Sequence, residues 1–273
     1  MKKIPYHIVD AFTDKVFGGN PAGVCLLDNW LPDELMQNIA AENNLSETAF
    51  LVKQGDHYGL RWFTPTLEID LCGHATLASA FVLFDEVESK RDELSFEAMS
   101  GTLSVTKSNG MLYLDFPALA VSKCPDYPTL KKALGTCPVV TYKGDDFLVL
   151  LDSEETLKSV QPNFSLLKKV AAKAGVDPNT FIGVIITAPA SKERDCDFVS
   201  RYFAPSAGID EDPVTGRAHC SLIPFWSQRL GKQKLQAQQL SRRGGTLICE
   251  YLGERVKIGG EAVRYLKGEI YLP

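Results

Sequence analysis

Three side chains in this sequence have the types and settings that proton chemistry on a small acid requires. Glu47, in Leu45-Ser46-Glu47-Thr48-Ala49-Phe50, stands immediately before an apolar run. A carboxylate at the edge of a core is a candidate general base near neutral pH, although a glutamate in a surface turn looks the same in sequence. His74 follows Gly73 in Leu71-Cys72-Gly73-His74-Ala75-Thr76, where a helix would start. The helix dipole there disfavours imidazolium, which predicts a neutral ring acting as hydrogen-bond donor or acid/base; bonding to a local carbonyl is the plain alternative. Asp212 is the last of three acids in Asp210-Glu211-Asp212-Pro213-Val214-Thr215-Gly216. By itself that cluster reads equally as a cation site, a solvated turn or a catalytic group.

The elements that must position these groups come in duplicate. Arg61-Trp62-Phe63-Thr64-Pro65-Thr66 and Arg201-Tyr202-Phe203-Ala204-Pro205-Ser206 repeat one pattern 140 residues apart, and Ile69-Asp70 matches Ile209-Asp210 at the same spacing. Three residues later in register, Gly73-His74-Ala75 matches Gly216-Arg217-Ala218. Each copy reads as a short aromatic strand ended by proline, a loop, and a helix opening after glycine. The helix after Gly73 is apolar on every side, so it belongs inside a domain wrapped by sheet; the one after Gly216 has the same character, with Pro224 marking a kink or an early end. Elsewhere strands dominate, one of them spanning Thr141 to Leu151. Helices are expected at Asp33–Asn43, Thr129–Leu134, Phe164–Ala174 and Ser227–Leu230. The expected fold is α+β, with two pseudo-symmetric halves over 1–117 and 118–262 and a strand over 263–273 able to return to the first. Each half is expected to wrap a mostly antiparallel sheet around its buried helix. Two such helices each aim unpaired N–H groups outward, and a small anionic carboxylate suits those ends.

Composition excludes several classes. A formal charge of −5 without a basic cluster argues against nucleic acid and anionic membrane surfaces as partners. No apolar run approaches the ~20 residues of a spanning helix, and Asp10 and Asp14 interrupt the region after Lys2-Lys3, so neither a membrane segment nor a secretory signal is read. Seven cysteines without Cys-x-x-Cys spacing read as reduced thiols, which places the protein in the cytoplasm and makes structural zinc improbable. Gly18-Gly19 precedes proline rather than a dinucleotide-binding turn.

Gly18-Gly19-Asn20-Pro21-Ala22-Gly23, Ser46-Glu47-Thr48-Ala49-Phe50, Cys72-Gly73-His74-Ala75-Thr76 and Glu211-Asp212-Pro213-Val214-Thr215-Gly216 occur in that order. This set resembles the PhzF-like family, named for an isomerase of phenazine biosynthesis, and the resemblance runs nearly the whole chain. It implies the diaminopimelate-epimerase-like fold with the active site between the halves, no metal or organic cofactor, and a homodimer. Carried over by position, it implies Glu47 as the acid/base that removes a proton from carbon and returns it elsewhere. It further implies that His74, Asp212, Gly73 and Gly216 hold the substrate, while Gly19, Asn20 and Ser46 line the cleft.

Two positions depart from related patterns. Epimerases of this fold use a cysteine at each helix start, whereas here Cys72 is matched by Thr215. Two-cysteine racemisation is therefore disfavoured, leaving a mixed Glu47/Cys72 pair as an alternative chemistry and packing as the plain role of Cys72. After Gly216 the family usually has serine, and this chain has Arg217. A guanidinium there could grip a carboxylate, or pair with Asp212 and disable the site, leaving a metabolite-binding protein. His219 is expected to be a satisfied core histidine.

Overall fold

The computed structural model describes residues 2–125, 127–173 and 182–272. Internal contacts divide the chain into a first unit, Met1–Phe116 with Lys257–Pro273, and a second, Pro117–Val256.

The first unit contains β1 (Lys2–Ala11), β2 (Asn20–Leu27), α1 (Asp33–Asn43), β3 (Glu47–Gln54), β4 (His57–Phe63), β5 (Glu68–Ile69), α2 (Gly73–Glu86), β6 (Glu93–Ala98), β7 (Gly101–Ser108) and β8 (Met111–Pro117). The second contains β9 (Ser122–Lys123), α3 (Pro128–Leu134), β10 (Val140–Lys143), β11 (Phe147–Leu150), α4 (Glu154–Ser159), α5 (Phe164–Lys173), β12 (Val184–Pro189) and β13 (Phe198–Ala204). It continues with β14 (Ile209–Asp212), α6 (Gly216–Leu230), β15 (Lys234–Gln239) and β16 (Gly245–Tyr251); β17 (Arg255–Gly260) then leads back to β18 (Ala262–Leu272), which pairs with β1. Residues 257–262 thus belong to the first unit, where the sequence places them in the second half, because β17 pairs with β8.

The units repeat one order of strand senses. β1–β2 is antiparallel, β2–β3 parallel, β3–β4 antiparallel, β4–β6 parallel and β6–β7 antiparallel. β10–β11, β11–β12, β12–β13, β13–β15 and β15–β16 follow the same succession. In each, the second parallel step is the crossover that carries the buried helix. Nearly every residue of α2 is buried, as its all-round apolar sequence demands. In α6 the stacked Phe198–Trp226 rings and the bond from Trp226 Nε1 to Thr187 Oγ1 tie the helix to the sheet. The opposite sheet face is covered by α1 in the first unit, through Met36 and Ile39, and by α3, α4 and α5 in the second, through Leu134, Leu157 and Val170. Strands buried on both faces account for apolar runs such as Phe147–Leu150.

Two local expectations change. Thr141–Leu151 is a hairpin rather than one strand, because Gly144-Asp145-Asp146 turns the chain and Gly144 N bonds Asp146 O. α6 runs through Pro224 to Leu230. Proline deprives the Cys220 carbonyl of its usual donor, and the Leu119 N–H supplies one at 2.9 Å instead. The elements that escaped the sequence reading include β15, whose glutamines mask alternate burial at Leu235, Ala237 and Gln239, and the six-residue α4, capped by Ser153; the short β5, β9 and β14 escaped it too. The expected end of α5 at Ala174 lies outside the described residues.

Candidate active site

In the first unit three elements converge. The segment before β2 is fixed by left-handed backbone at Phe12, Phe17 and Gly19, and the Asp10 carboxylate accepts from Phe17 N at 2.8 Å. A Cβ on Gly19 would lie 2.1 Å from the Ala11 carbonyl oxygen, so the chain can enter β2 at Asn20 only through glycine. Glu47 opens β3, with half-buried Ser46 before it, and stands opposite Ala22 in the parallel register. Gly73 and His74 open α2 behind its cap residue Cys72.

These elements bring His74 against three partners. Its Nε2 lies 3.0 Å from Glu47 Oε2, and its Nδ1 lies 3.1 Å from the Asn20 amide and 3.5 Å from Cys72 Sγ. All four residues are buried. The Glu47–His74 approach is an ion-pair separation but out of line, so neither Oε2 nor Nε2 makes a hydrogen bond among the described residues. Buried polar atoms in that condition call for a third group.

The electrostatics reverse the sequence argument for His74. Burial works against the charged ring, but the Cys72 sulfur and the Glu47 carboxylate outweigh it and hold the imidazole well above its ordinary value. Specific charges a few ångströms away overcome the dipole of the helix start. The Asn20 amide can serve either ring state, since by turning over it offers a donor or an acceptor to Nδ1. Burial, with the Glu47 charge adding to it, pushes the Cys72 thiol up to about 11. At neutral pH this thiol can give a proton but is a poor base.

Glu47, Cys72 and His74 are also the group of potential metal ligands found among the described residues. The ring stands between the other two, with sulfur at Nδ1 and carboxylate at Nε2. One ligand atom of each residue lies within 4.8 Å of the others, and the same succession of sulfur, ring and carboxylate can also pass a proton.

The second unit gathers Asp212, Thr215, Gly216 and Arg217 at the start of α6. Thr215 Oγ1 donates to Asp212 Oδ2. Gln239, fully buried at the end of β15, accepts from Thr215 N at 2.9 Å and donates to Asp212 O at 2.7 Å. His219 is fully buried with Nδ1 2.8 Å from Thr215 O, and burial pushes its pKa down to about 4, as suits a neutral core histidine. Arg217 Nε lies 3.5 Å from buried Asp146. Neither Gln239 nor Asp146 was found by sequence reasoning. Gln239 is hidden in a polar strand, and the only mark of Asp146 is its place in a Gly-Asp-Asp turn.

A doubled, mixed sheet wrapped on buried helices, with carboxylate and imidazole at a helix start, defines an epimerase-like α+β enzyme. The phenazine biosynthesis-like (PhzC-PhzF) family profile matches residues 9–268, and the chain belongs to that family. It is 50% identical over 271 residues to an uncharacterized isomerase of Pseudomonas aeruginosa, covering 99% of each chain. The crystal structure of a PhzF-family protein from Enterococcus faecalis superposes with a TM-score of 0.92 at 50% identity, covering 99% of this chain and 100% of that one. A hydroxyproline epimerase from Agrobacterium vitis shares the fold at 10% identity, with a TM-score of 0.64 over 99% of this chain and 91% of its own. The protein is an isomerase of the PhzF-like family.

Proposed function

We propose that this isomerase relocates a proton on carbon of a small carboxylate, with Glu47 as the carrier and without a metal or organic cofactor. One observation carries the reading: Glu47 Oε2 and His74 Nε2 are buried 3.0 Å apart, out of line for a hydrogen bond, and neither makes one among the described residues. A substrate acid or carbonyl placed there would complete both. The Glu47 carboxylate takes a proton from carbon while the electron pair moves into the adjoining unsaturated system, and the same carboxyl returns the proton to another carbon. His74, held charged beside it, and the Gly73 N–H stabilise the negative charge that develops. Gly19, Asn20 and Ser46 shape the pocket, and Asp212, Gly216 and Arg217 bind the polar remainder of the substrate. Nucleic acid and membranes are not partners in this reading; the protein works as a cytoplasmic homodimer.

The test is proton NMR in deuterated buffer with a panel of amino- and hydroxy-carboxylates. A carbon-bound proton signal is expected to fade with the unaltered protein, and Glu47→Gln to slow this by about 10²–10⁴-fold while ligand line broadening persists. Undiminished exchange in Glu47→Gln overturns the reading. Cys72→Ser is expected to keep the exchange; loss there would favour a Glu47/Cys72 pair.

A further inference from the structure

The second unit holds a buried carboxylate that this reaction does not use. Asp146 is 4% exposed; its Oδ1 accepts from Gly183 N at 2.7 Å and its Oδ2 from Tyr202 Oη at 3.2 Å, with Arg217 Nε 3.5 Å from Oδ2.

Strand register shows what Asp146 corresponds to. In the first unit Ala22 is opposite Glu47, and Thr48 is opposite Phe63. In the second, Phe147 is opposite Val184, and Val184 is opposite Phe203. With Phe63 matching Phe203 in the sequence repeat, Thr48 matches Val184, so Glu47 matches Gly183 and Ala22 matches Asp146. The acid of the second unit stands instead in the turn that leads into the neighbouring strand, β11. The place matching Glu47 cannot hold a side chain, since a Cβ on Gly183 would lie 2.1 Å from Tyr202 Oη. The acid still meets the equivalent partner, because Arg217 follows Gly216 as His74 follows Gly73. Each buried helix therefore opens on glycine and a basic residue that meets a carboxylate from its own unit.

The pairs differ in freedom. Among the described residues Glu47 Oε2 makes no hydrogen bond, whereas both Asp146 oxygens accept one. A carboxylate so held is not free to swing onto a substrate carbon, and its charge restrains the Arg217 guanidinium through the ion-pair contact at Nε. The Arg217 side chain is 28% exposed above its buried anchor, so it extends from Asp146 toward solvent.

We propose that Asp146 is a positioning residue that orients Arg217, and that the oriented guanidinium selects substrates carrying a second carboxylate. This rests on Arg217 being a substrate contact in the function proposed above. A guanidinium restrained at Nε by that ion pair offers a carboxylate planar N–H donors, a geometry that serine, usual in the family, cannot offer.

The full-length ¹⁵N-labelled protein would be titrated with malonate, succinate and glutarate, and with acetate, propionate and butyrate, following chemical shifts. At least one diacid is expected to bind about tenfold more tightly than the monoacids. Asp146→Asn, which keeps an acceptor for Gly183 N and turns an amide donor to Tyr202 Oη, and Arg217→Ser should each abolish that preference. Asp146→Asn should also shift the Arg217 Nε–H signal in the absence of ligand. Should Asp146→Asn fail to fold, Arg217→Ser at a part-exposed position decides the specificity. No diacid preference in the unaltered protein, or a preference surviving either variant, overturns the proposal. Glu47→Gln should retain the preference. An Arg217-dependent preference without Glu47-dependent exchange keeps this inference and removes the mechanism above; the opposite pair of results does the reverse.

Discussion

Histidine protonation is where individual residues of this isomerase make their most distinct prediction. His74 and His219 occupy equally buried helical positions, yet the first is raised well above its ordinary value beside the Glu47 carboxylate, while burial pushes the second down to about 4. A titration of the imidazole Cε1–H signals should show one midpoint above 6.5 and one far below it. The stability consequences have opposite signs. For His74 the folded value lies above the unfolded one, so its contribution is complete below about pH 6.5 and fades as pH rises through the folded value. For His219 the folded value lies below, so its contribution is present above about pH 6.5 and falls, by up to about 3 kcal/mol, as pH drops toward 4. Urea midpoints of His219→Gln against the unaltered protein over that range check the second. A free ring at neutral pH for His74 would contradict the Glu47 contact.

Among the elements, the repeat is more regular in space than in sequence. Arg61 Nε and Nη2 grip Glu68 in a fork, and Arg201 does the same to Glu211. Glu68 thus matches Glu211 with the same spacing as Gly73 and Gly216. The three extra residues of the second copy fall earlier than the sequence match of Ile69-Asp70 with Ile209-Asp210 implies, around the 3₁₀ turn Pro205–Ala207. Asp212 then occupies the place of Ile69, which explains why it has no acidic counterpart in the first unit. The entry to β2 is the element most sensitive to a single atom. Gly19→Ala adds a Cβ against the Ala11 carbonyl at a left-handed position, and should cost more than about 1 kcal/mol of stability and weaken ligand binding by displacing Asn20. Thermal melting and the ligand titrations together check this; an unchanged melt would mean that the strand entry adjusts without strain.

For the whole molecule, family resemblance carries the expectation of a homodimer, and several large side chains in or near the last strand remain exposed. Phe17 packs its ring on Tyr265, and Leu266 and Tyr271 lie beyond it along β18. Sedimentation at micromolar concentration should return twice the 30.1 kDa of one chain. A monomer mass that persists at higher concentration would remove the dimer from the proposal.

The sequence by itself determined the duplication, the two buried helices and the residues at their starts. Those follow from apolar periodicity, glycine and proline punctuation, and local repeats, all of which act over a few neighbouring positions. It also brought Glu47 and His74 under suspicion together. Only the tertiary structure decided the charge of His74, because the parallel pairing of β2 with β3 brings to it a carboxylate 27 residues away in sequence. Likewise the Asp146–Arg217 contact spans 71 positions and depends on a strand register that no local pattern records. Helix dipoles and propensities are written along the chain, whereas ion pairs and buried hydrogen bonds depend on which distant residues the sheet sets side by side.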